Sequence, residues 1–287
     1  MGDGADANGP VPVTLPGGRW SDGARHQVAT LRPLSGWDEE AALEAGAEPA
    51  AHRVTALLAR CVLTLEGRAV NAETIRRLGV GDREALLWHL RRATVGENVE
   101  AVVGCPGCGE KLDLDLRVGD LLQAPYETWD AQVTERLGGR EVTFRVPTGA
   151  DQERVAVQAR TDPSAAAAAL LAGCVVSIDG AGLAPGGALD EEVAAALSAR
   201  LAELDPQAEA VLSVTCPACG DAFTTPLDAA GFVFEEIARR GRHLLREVHA
   251  LAWYYHWSEA EILGMTATRR QRYLALIDEA LEQAGAR

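Results

Sequence analysis

The chain is almost without lysine. Lys111 is the only one among 27 basic residues, and 42 acids leave a net charge of −15 at pH 7. An acidic surface disfavours generic binding to nucleic acid or anionic lipid. No run of eighteen or more apolar residues occurs, so no membrane-spanning helix is expected. The opening residues lack the apolar core of a signal peptide. A cytoplasmic location is therefore expected. Gly-x-Ser-x-Gly and the Walker phosphate loop are both missing, which removes the commonest nucleophile and nucleotide signatures. His243, His249 and His256 do not supply a metal site. The last two lie two helical turns apart, about 10 Å, and all three read as surface or helix-end residues. Glu235-Glu236 and Asp190-Glu191-Glu192 read as helix N-terminal charge. The chain is thus expected not to be an enzyme.

Cysteine is also scarce, but four of the six are arranged. Cys105-Pro-Gly-Cys108-Gly109 and Cys216-Pro-Ala-Cys219-Gly220 are near copies of one motif with 107 residues between them. A Cys-x2-Cys turn aims two thiolates at one tetrahedral metal, and the glycine after it allows the left-handed backbone that closes the turn. Val102-Val103 precede the first motif, and Leu112, Leu114 and Leu116 alternate after it. Leu212 and Val214 alternate before the second, with Phe223 and Leu227 beyond it. Such alternation places each motif at the tip of a β-hairpin. Closing so long a loop costs only about 2 kcal/mol more than an ordinary spacer, against roughly 10–16 kcal/mol from a structural zinc site. The expectation is a split zinc ribbon, with Cys105, Cys108, Cys216 and Cys219 holding a structural Zn2+ and leaving no open coordination position. A redox pair would need a helix N-terminus at the motif, and a disulfide framework needs an oxidising compartment. Cys61 and Cys174 sit in apolar runs and are expected to be buried thiols.

Along the chain, the Gly-, Pro- and Asp-rich residues 1–23 are expected to form a disordered tail. Residues 24–98 read as an N-terminal helical region, with an extended arm over 26–34, a turn at Ser35-Gly36-Trp37-Asp38, and helices near 41–45, 53–63, 74–78 and 83–92. The two ribbon halves are expected at 99–122 and 209–231. Between them, 123–208 reads as a mainly helical insertion. It has a strand over 141–146, helices near 152–159, from Asp162-Pro163 to Cys174, and over 189–204, and a turn at Asp179-Gly180. Residues 232–287 read as C-terminal helices, beginning with one long helix from Phe232 to Tyr255. Ser258 and Glu261 form a capping box, and Trp257 and Ile262 fit the staple around it. Thr268 and Gln271 suggest a second box. The fold class expected is α+β, mainly α-helical, with split zinc-ribbon hairpins, a long helical insertion and a C-terminal helical hairpin. Trp253, Tyr254, Trp257 and Tyr273 crowd this last part and are candidates for docking a partner. Arg239, Arg240, Arg242 and Arg246, and again Arg269, Arg270 and Arg272, form basic patches. With glutamates interleaved, they read as solvated helix faces.

Several ordered blocks carry a resemblance. Leu31-Arg32-Pro33-Leu34-Ser35-Gly36-Trp37-Asp38-Glu39 resembles the opening of a family of phage tail proteins. Arg145-Val146-Pro147-Thr148-Gly149-Ala150-Asp151 resembles a later block. Tyr255-His256-Trp257-Ser258-Glu259-Ala260-Glu261-Ile262-Leu263, with Arg269-Arg270-Gln271-Arg272-Tyr273-Leu274, is similar to the family's C-terminal signature. The family is that of the T-even-type phage baseplate hub assembly chaperones, with relatives in gene clusters for contractile injection systems. The resemblance implies a non-catalytic assembly chaperone or structural component of the baseplate hub. Such a protein binds a hub or spike subunit and stays in the cytoplasm or is retained in the assembled tail particle. The four cysteines are compatible with a zinc-bearing branch of the family. No nucleic-acid or membrane partner is expected, although a zinc-ribbon nucleic-acid-binding or regulatory protein is the alternative reading.

Overall fold

The computed structural model describes residues 9–127 and 130–285, apart from 22, 185 and 186. The chain opens with a hairpin of β1 (Val11–Ser21) and β2 (Ala24–Leu31). Helices α1 (Gly36–Glu44) and α2 (Ala50–Cys61) follow, then β3 (Val62–Leu65) and β4 (Arg68–Ala69). These strands make an antiparallel sheet in the order β1-β2-β3-β4. Next come α3 (Ala72–Arg76), α4 (Val80–Val95), a hairpin of β5 (Asn98–Gly104) and β6 (Lys111–Arg117), and the short α5 (Val118–Leu121). A second series then runs through β7 (Val133–Leu137), β8 (Arg140–Phe144), α6 (Gly149–Ala159), α7 (Pro163–Cys174), β9 (Val175–Ile178), α8 (Glu191–Leu204) and a hairpin of β10 (Val211–Thr215) and β11 (Ala222–Pro226). Four helices end the described chain: α9 (Ala229–Gly241), α10 (Leu244–Tyr255), α11 (Glu259–Leu263) and α12 (Ala267–Gly285). The class is α+β, with helices predominating over small antiparallel sheets.

The two series are copies of one unit, offset by 113 positions over the strands and the first helices and by 111 at the cysteine hairpins. Strand pairing is the same in both: Ala29↔Leu65, Thr30↔Thr64 and Leu31↔Val62 in the first, Val142↔Ile178, Thr143↔Ser177 and Phe144↔Val175 in the second, with a register shift at the same step. Each middle strand runs into an arginine whose N–H donates to the carbonyl of a buried cysteine, Arg32 to Cys61 at 2.9 Å and Arg145 to Cys174 at 3.0 Å. Each guanidinium then forks onto an aspartate six residues on. Arg32 Nη1 and Nη2 reach Asp38 at 2.5 and 3.1 Å; Arg145 reaches Asp151 at 2.5 and 2.9 Å. The aspartate closes a capping box with Ser35 in one unit and Thr148 in the other. After the third strand, an acid with positive φ, Glu66 or Asp179, accepts from the backbone of the middle strand. Each unit ends in a helix and a Cys-x2-Cys hairpin. So many long-range bonds falling at one offset identify a tandem duplication.

A helix–turn–helix also occurs twice. In α3–α4 the cap is Asn71 and in α11–α12 it is Ser258. Twelve residues after each cap stands a buried arginine, Arg83 or Arg270, each 1% exposed. The first helix pair docks on the second unit, where Gly149 N–H donates to Leu78 and Val80 N–H to Pro147. The second docks back on the first unit, where Gly36 N–H donates to Met265. Glycine is required at both joints. A Cβ on Gly36 would lie 2.9 Å from the Leu263 backbone, and one on Gly149 would overlap the Arg83 guanidinium. Arg270 is the charged pin of the second joint, donating to Glu39 and, at 2.8 Å, to Glu247.

The largest core joins the first sheet to α2, α4 and α9 around the fully buried Trp88. A second lies under β7–β9 and α8, and a third holds α10, α11 and α12 together.

Four expectations are corrected. The disordered tail over 1–23 gives way to β1 from Val11 to Ser21; residues 1–8 lie outside the described residues. Its Pro and Gly content marks a bulge between Thr14 and Arg19, where Gly17 and Gly18 N–H groups both donate to Asp82 on α4 at 2.8 Å. The long helix from Phe232 to Tyr255 is broken after Gly241, where the backbone meets Leu43 so closely that a Cβ would overlap it. The last helix is capped by Thr266, whose Oγ1 accepts from Arg269, and not by Thr268. The Ser35–Asp38 turn is the capped first turn of α1.

Candidate metal centre

Each cysteine motif closes its hairpin by the same two bonds. At the tip of β5–β6, Cys105 N–H donates to Glu110 O at 2.8 Å and Gly109 N–H to Cys105 O at 2.9 Å. At the tip of β10–β11, Cys216 N–H donates to Asp221 O at 2.8 Å and Gly220 N–H to Cys216 O at 2.9 Å. Gly109 and Gly220 both have φ of +77°, a conformation that costs other residues about 1–2 kcal/mol. The strands beneath are in register through Val103↔Leu112 and Val214↔Phe223. These side chains, with Leu114, form a small apolar floor.

The two tips face each other. The four Sγ atoms of Cys105, Cys108, Cys216 and Cys219 all lie within 4.8 Å of one another. The crossed pairs are close, Cys105 to Cys219 at 3.6 Å and Cys108 to Cys216 at 3.7 Å. Exchanging the two motifs exchanges these two contacts, so a local twofold axis passes between the hairpins. A disulfide needs about 2.05 Å between sulfurs. A tetrahedron with metal–sulfur bonds of about 2.3 Å has edges near 3.8 Å, and the crossed contacts match that edge. The donor set therefore fits a soft or borderline cation held by four sulfurs. Cys105 and Cys216 are buried at the floor, while Cys108 and Cys219 face outward.

Thiol electrostatics point the same way. The N–H groups of Cys219 and Ala218 aim at Cys216 and pull it down to about 7. The Asp221 N–H lowers Cys219, but the packed thiols, Cys108 foremost, outweigh it and push it up to about 12. Four thiolates cannot crowd together without a cation, so metal binding here expels protons. Cys61 and Cys174 are elsewhere, one in each unit. Both are buried, and burial pushes both up to about 12.

The four aromatic candidates separate into two kinds. Trp253 and Tyr254 stand out of α10, 71% and 48% exposed. Trp257 and Tyr273 are half-buried. Trp257 stacks on Tyr255 at 4.6 Å and meets Tyr273 edge-on at 4.8 Å, so these rings brace α10 against α12. Leu245, 69% exposed on α10, stands outward beside the buried Leu244 and Val248. His249 stacks on Trp253 with centroids 6.5 Å apart. His256 caps α10 in the left-handed conformation. Neither histidine joins a metal-holding group among the described residues.

Compared with known families, residues 20–232 match the family described as T4 bacteriophage base plate protein. The match spans both copies of the unit and both cysteine motifs, and ends before α10. No curated protein and no solved structure matches the chain.

Proposed function

The chain belongs to the family of T4 bacteriophage base plate proteins, and on that premise we propose that it serves assembly of the baseplate hub in a contractile, phage-tail-like injection system. In this reading it is a non-catalytic chaperone or structural component that binds a hub or spike subunit, and it acts in the cytoplasm before or during tail assembly. The observation that carries the reading is the meeting of four cysteines from two distant hairpins. All four coordination positions come from protein sulfur, so a zinc ion there would leave no place for water or substrate and would serve the fold alone. The paired hairpins then form a split zinc ribbon, with Cys105, Cys108, Cys216 and Cys219 as ligands. It fastens the two copies of the unit to each other, and the C-terminal helices dock on the first copy with Trp253 and Tyr254 outward.

Co-expression with each hub and spike protein of the same gene cluster tests the role. A stable complex, and loss of assembled tails when this gene is deleted, are the expected results. Normal particles assembled without the protein would refute it. No helix among the described residues is long and apolar enough to cross a membrane, which accords with a partner in a particle.

A further inference from the structure

The end of α9, the turn after it and α10 differ in charge from the rest of the molecule. Between positions 238 and 258 there are four arginines and one acid, Glu247, whereas the whole chain carries −15. Arg239 and Arg240 lie on α9, the latter paired with Glu236 at 3.2 Å; Arg242 stands in the turn and Arg246 on α10. Glu247 is buried and committed to Arg270. Arg242, Leu245, Arg246, His249 and Trp253 are all exposed. Leu245, Arg246, His249 and Trp253 fall at i, i+1, i+4 and i+8 and share one side of α10, and Arg242 stands in the turn just before that helix. Arg242 and Arg246 make no ion pair among the described residues. Leu245 and Trp253 stand about two turns apart with the His249 ring between them, stacked on the tryptophan. Large apolar side chains left in water beside unpaired cations are the parts of an interface without its partner.

We propose that this face docks an acidic amphipathic helix of a neighbouring tail protein. The proposal rests on the assembly role above and names the partner's chemistry. Helix spacing favours a helix as occupant, because side chains at i, i+4 and i+8, here Leu245, His249 and Trp253, form a ridge that a second helix covers when ridges meet grooves. A face of about 18 Å matches three turns of partner helix. Charge selects the partner: carboxylates flanking its apolar stripe would meet Arg242 and Arg246, and repulsion from the acidic remainder of this chain would keep it on that one face. The face lies beyond residues 20–232, the span that matches the family. Nucleic acid, the other polyanion that Arg and Trp accommodate, is disfavoured by the same −15 charge.

The test titrates the full-length protein with a helical peptide of about 18 residues that carries leucines on one face and glutamates elsewhere. A counterpart with lysine in place of glutamate serves as control. The glutamate peptide should bind, and more weakly as salt rises. Trp253→Ala, or Arg242→Glu with Arg246→Glu, should weaken it about tenfold, with thermal melts unchanged. The lysine peptide should gain on the doubly charge-reversed protein. Equal binding of the two peptides to the unsubstituted protein, or no effect of the substitutions, would overturn the proposal. So would a single-stranded oligonucleotide that outcompetes the glutamate peptide. A dimer in sedimentation that Trp253→Ala dissolves would also overturn it and assign the face to a second copy of this chain. A hub complex that survives all three substitutions would remove this surface while leaving the assembly role in place. Failure of the unsubstituted protein to bind any tail protein would remove the role itself.

Discussion

Asp38 is the most heavily bonded carboxylate of the first unit, and its replacement by asparagine is a demanding test of the duplicated clamp. The side chain is fully buried and accepts from both Nη atoms of Arg32, from Arg60 Nε at 2.9 Å, and from the Ser35 N–H and hydroxyl at 2.9 and 2.7 Å. Although burial alone would raise it, the Arg32 and Ser35 hydrogen bonds hold its pKa at about 2. Against an unfolded value of 3.8, that difference is worth about 2.4 kcal/mol at neutral pH. The folded pKa is the lower one, so this stability is present above pH 3.8 and is lost as pH falls toward 2. By pH 3 it should have dropped by roughly half. Arg32 and Arg60 are 32% and 44% exposed, which screens part of the attraction and brings the expected cost of Asp38→Asn to about 2 kcal/mol at pH 7. Urea unfolding of both proteins, with chelator at both pH values so that the metal state is shared, reads the difference. It should shrink by about half between pH 7 and pH 3. Asp151→Asn should behave alike, because Asp151 is likewise held below the ordinary carboxylate range: the Arg145 and Thr148 hydrogen bonds override burial. A cost below about 0.5 kcal/mol, or one that does not change with pH, would refute the reasoning.

Arg270→Met should loosen the C-terminal helices. It strands Glu39, 1% exposed, and Glu247 without their cation. Leaving a buried charge unpaired costs about 3–5 kcal/mol, and hydrogen exchange should show lost protection in α10–α12 ahead of the first sheet. Thiol titration should find the native, metal-loaded protein nearly inert. Chelation should release the four hairpin cysteines, and only denaturant should release Cys61 and Cys174, which are buried and raised to about 12. Early reaction of those two would contradict the packing described.

Much of this architecture is legible in the sequence because short-range chemistry sets it. The cysteine hairpins follow from alternation and the Cys-x2-Cys-Gly turn, and the Ser258–Glu261 box forms as its spacing demands. What escapes depends on partners far along the chain. Nothing local tells Arg270 from Arg269 or Arg272, yet one is buried against Glu39 and the others are exposed. The strand over Val11–Ser21 reads as a flexible leader until Asp82 supplies acceptors for Gly17 and Gly18. The duplication is visible in Arg-x5-Asp at both 32–38 and 145–151, but few residues around it match. The shared property is a hydrogen-bond pattern, which only coordinates display. Of the four aromatics, position alone could not separate exposed Trp253 and Tyr254 from Trp257 and Tyr273, whose rings pack on Tyr255.

X-ray absorption at the zinc edge on the purified protein tests the central claim most directly. One zinc per chain, surrounded by four sulfurs at about 2.3 Å, is the expected result, with the signal collapsing in Cys216→Ser. A protein purified without metal, or a zinc carrying nitrogen or oxygen ligands in place of any of the four sulfurs, would contradict a structural ion fastening the two halves.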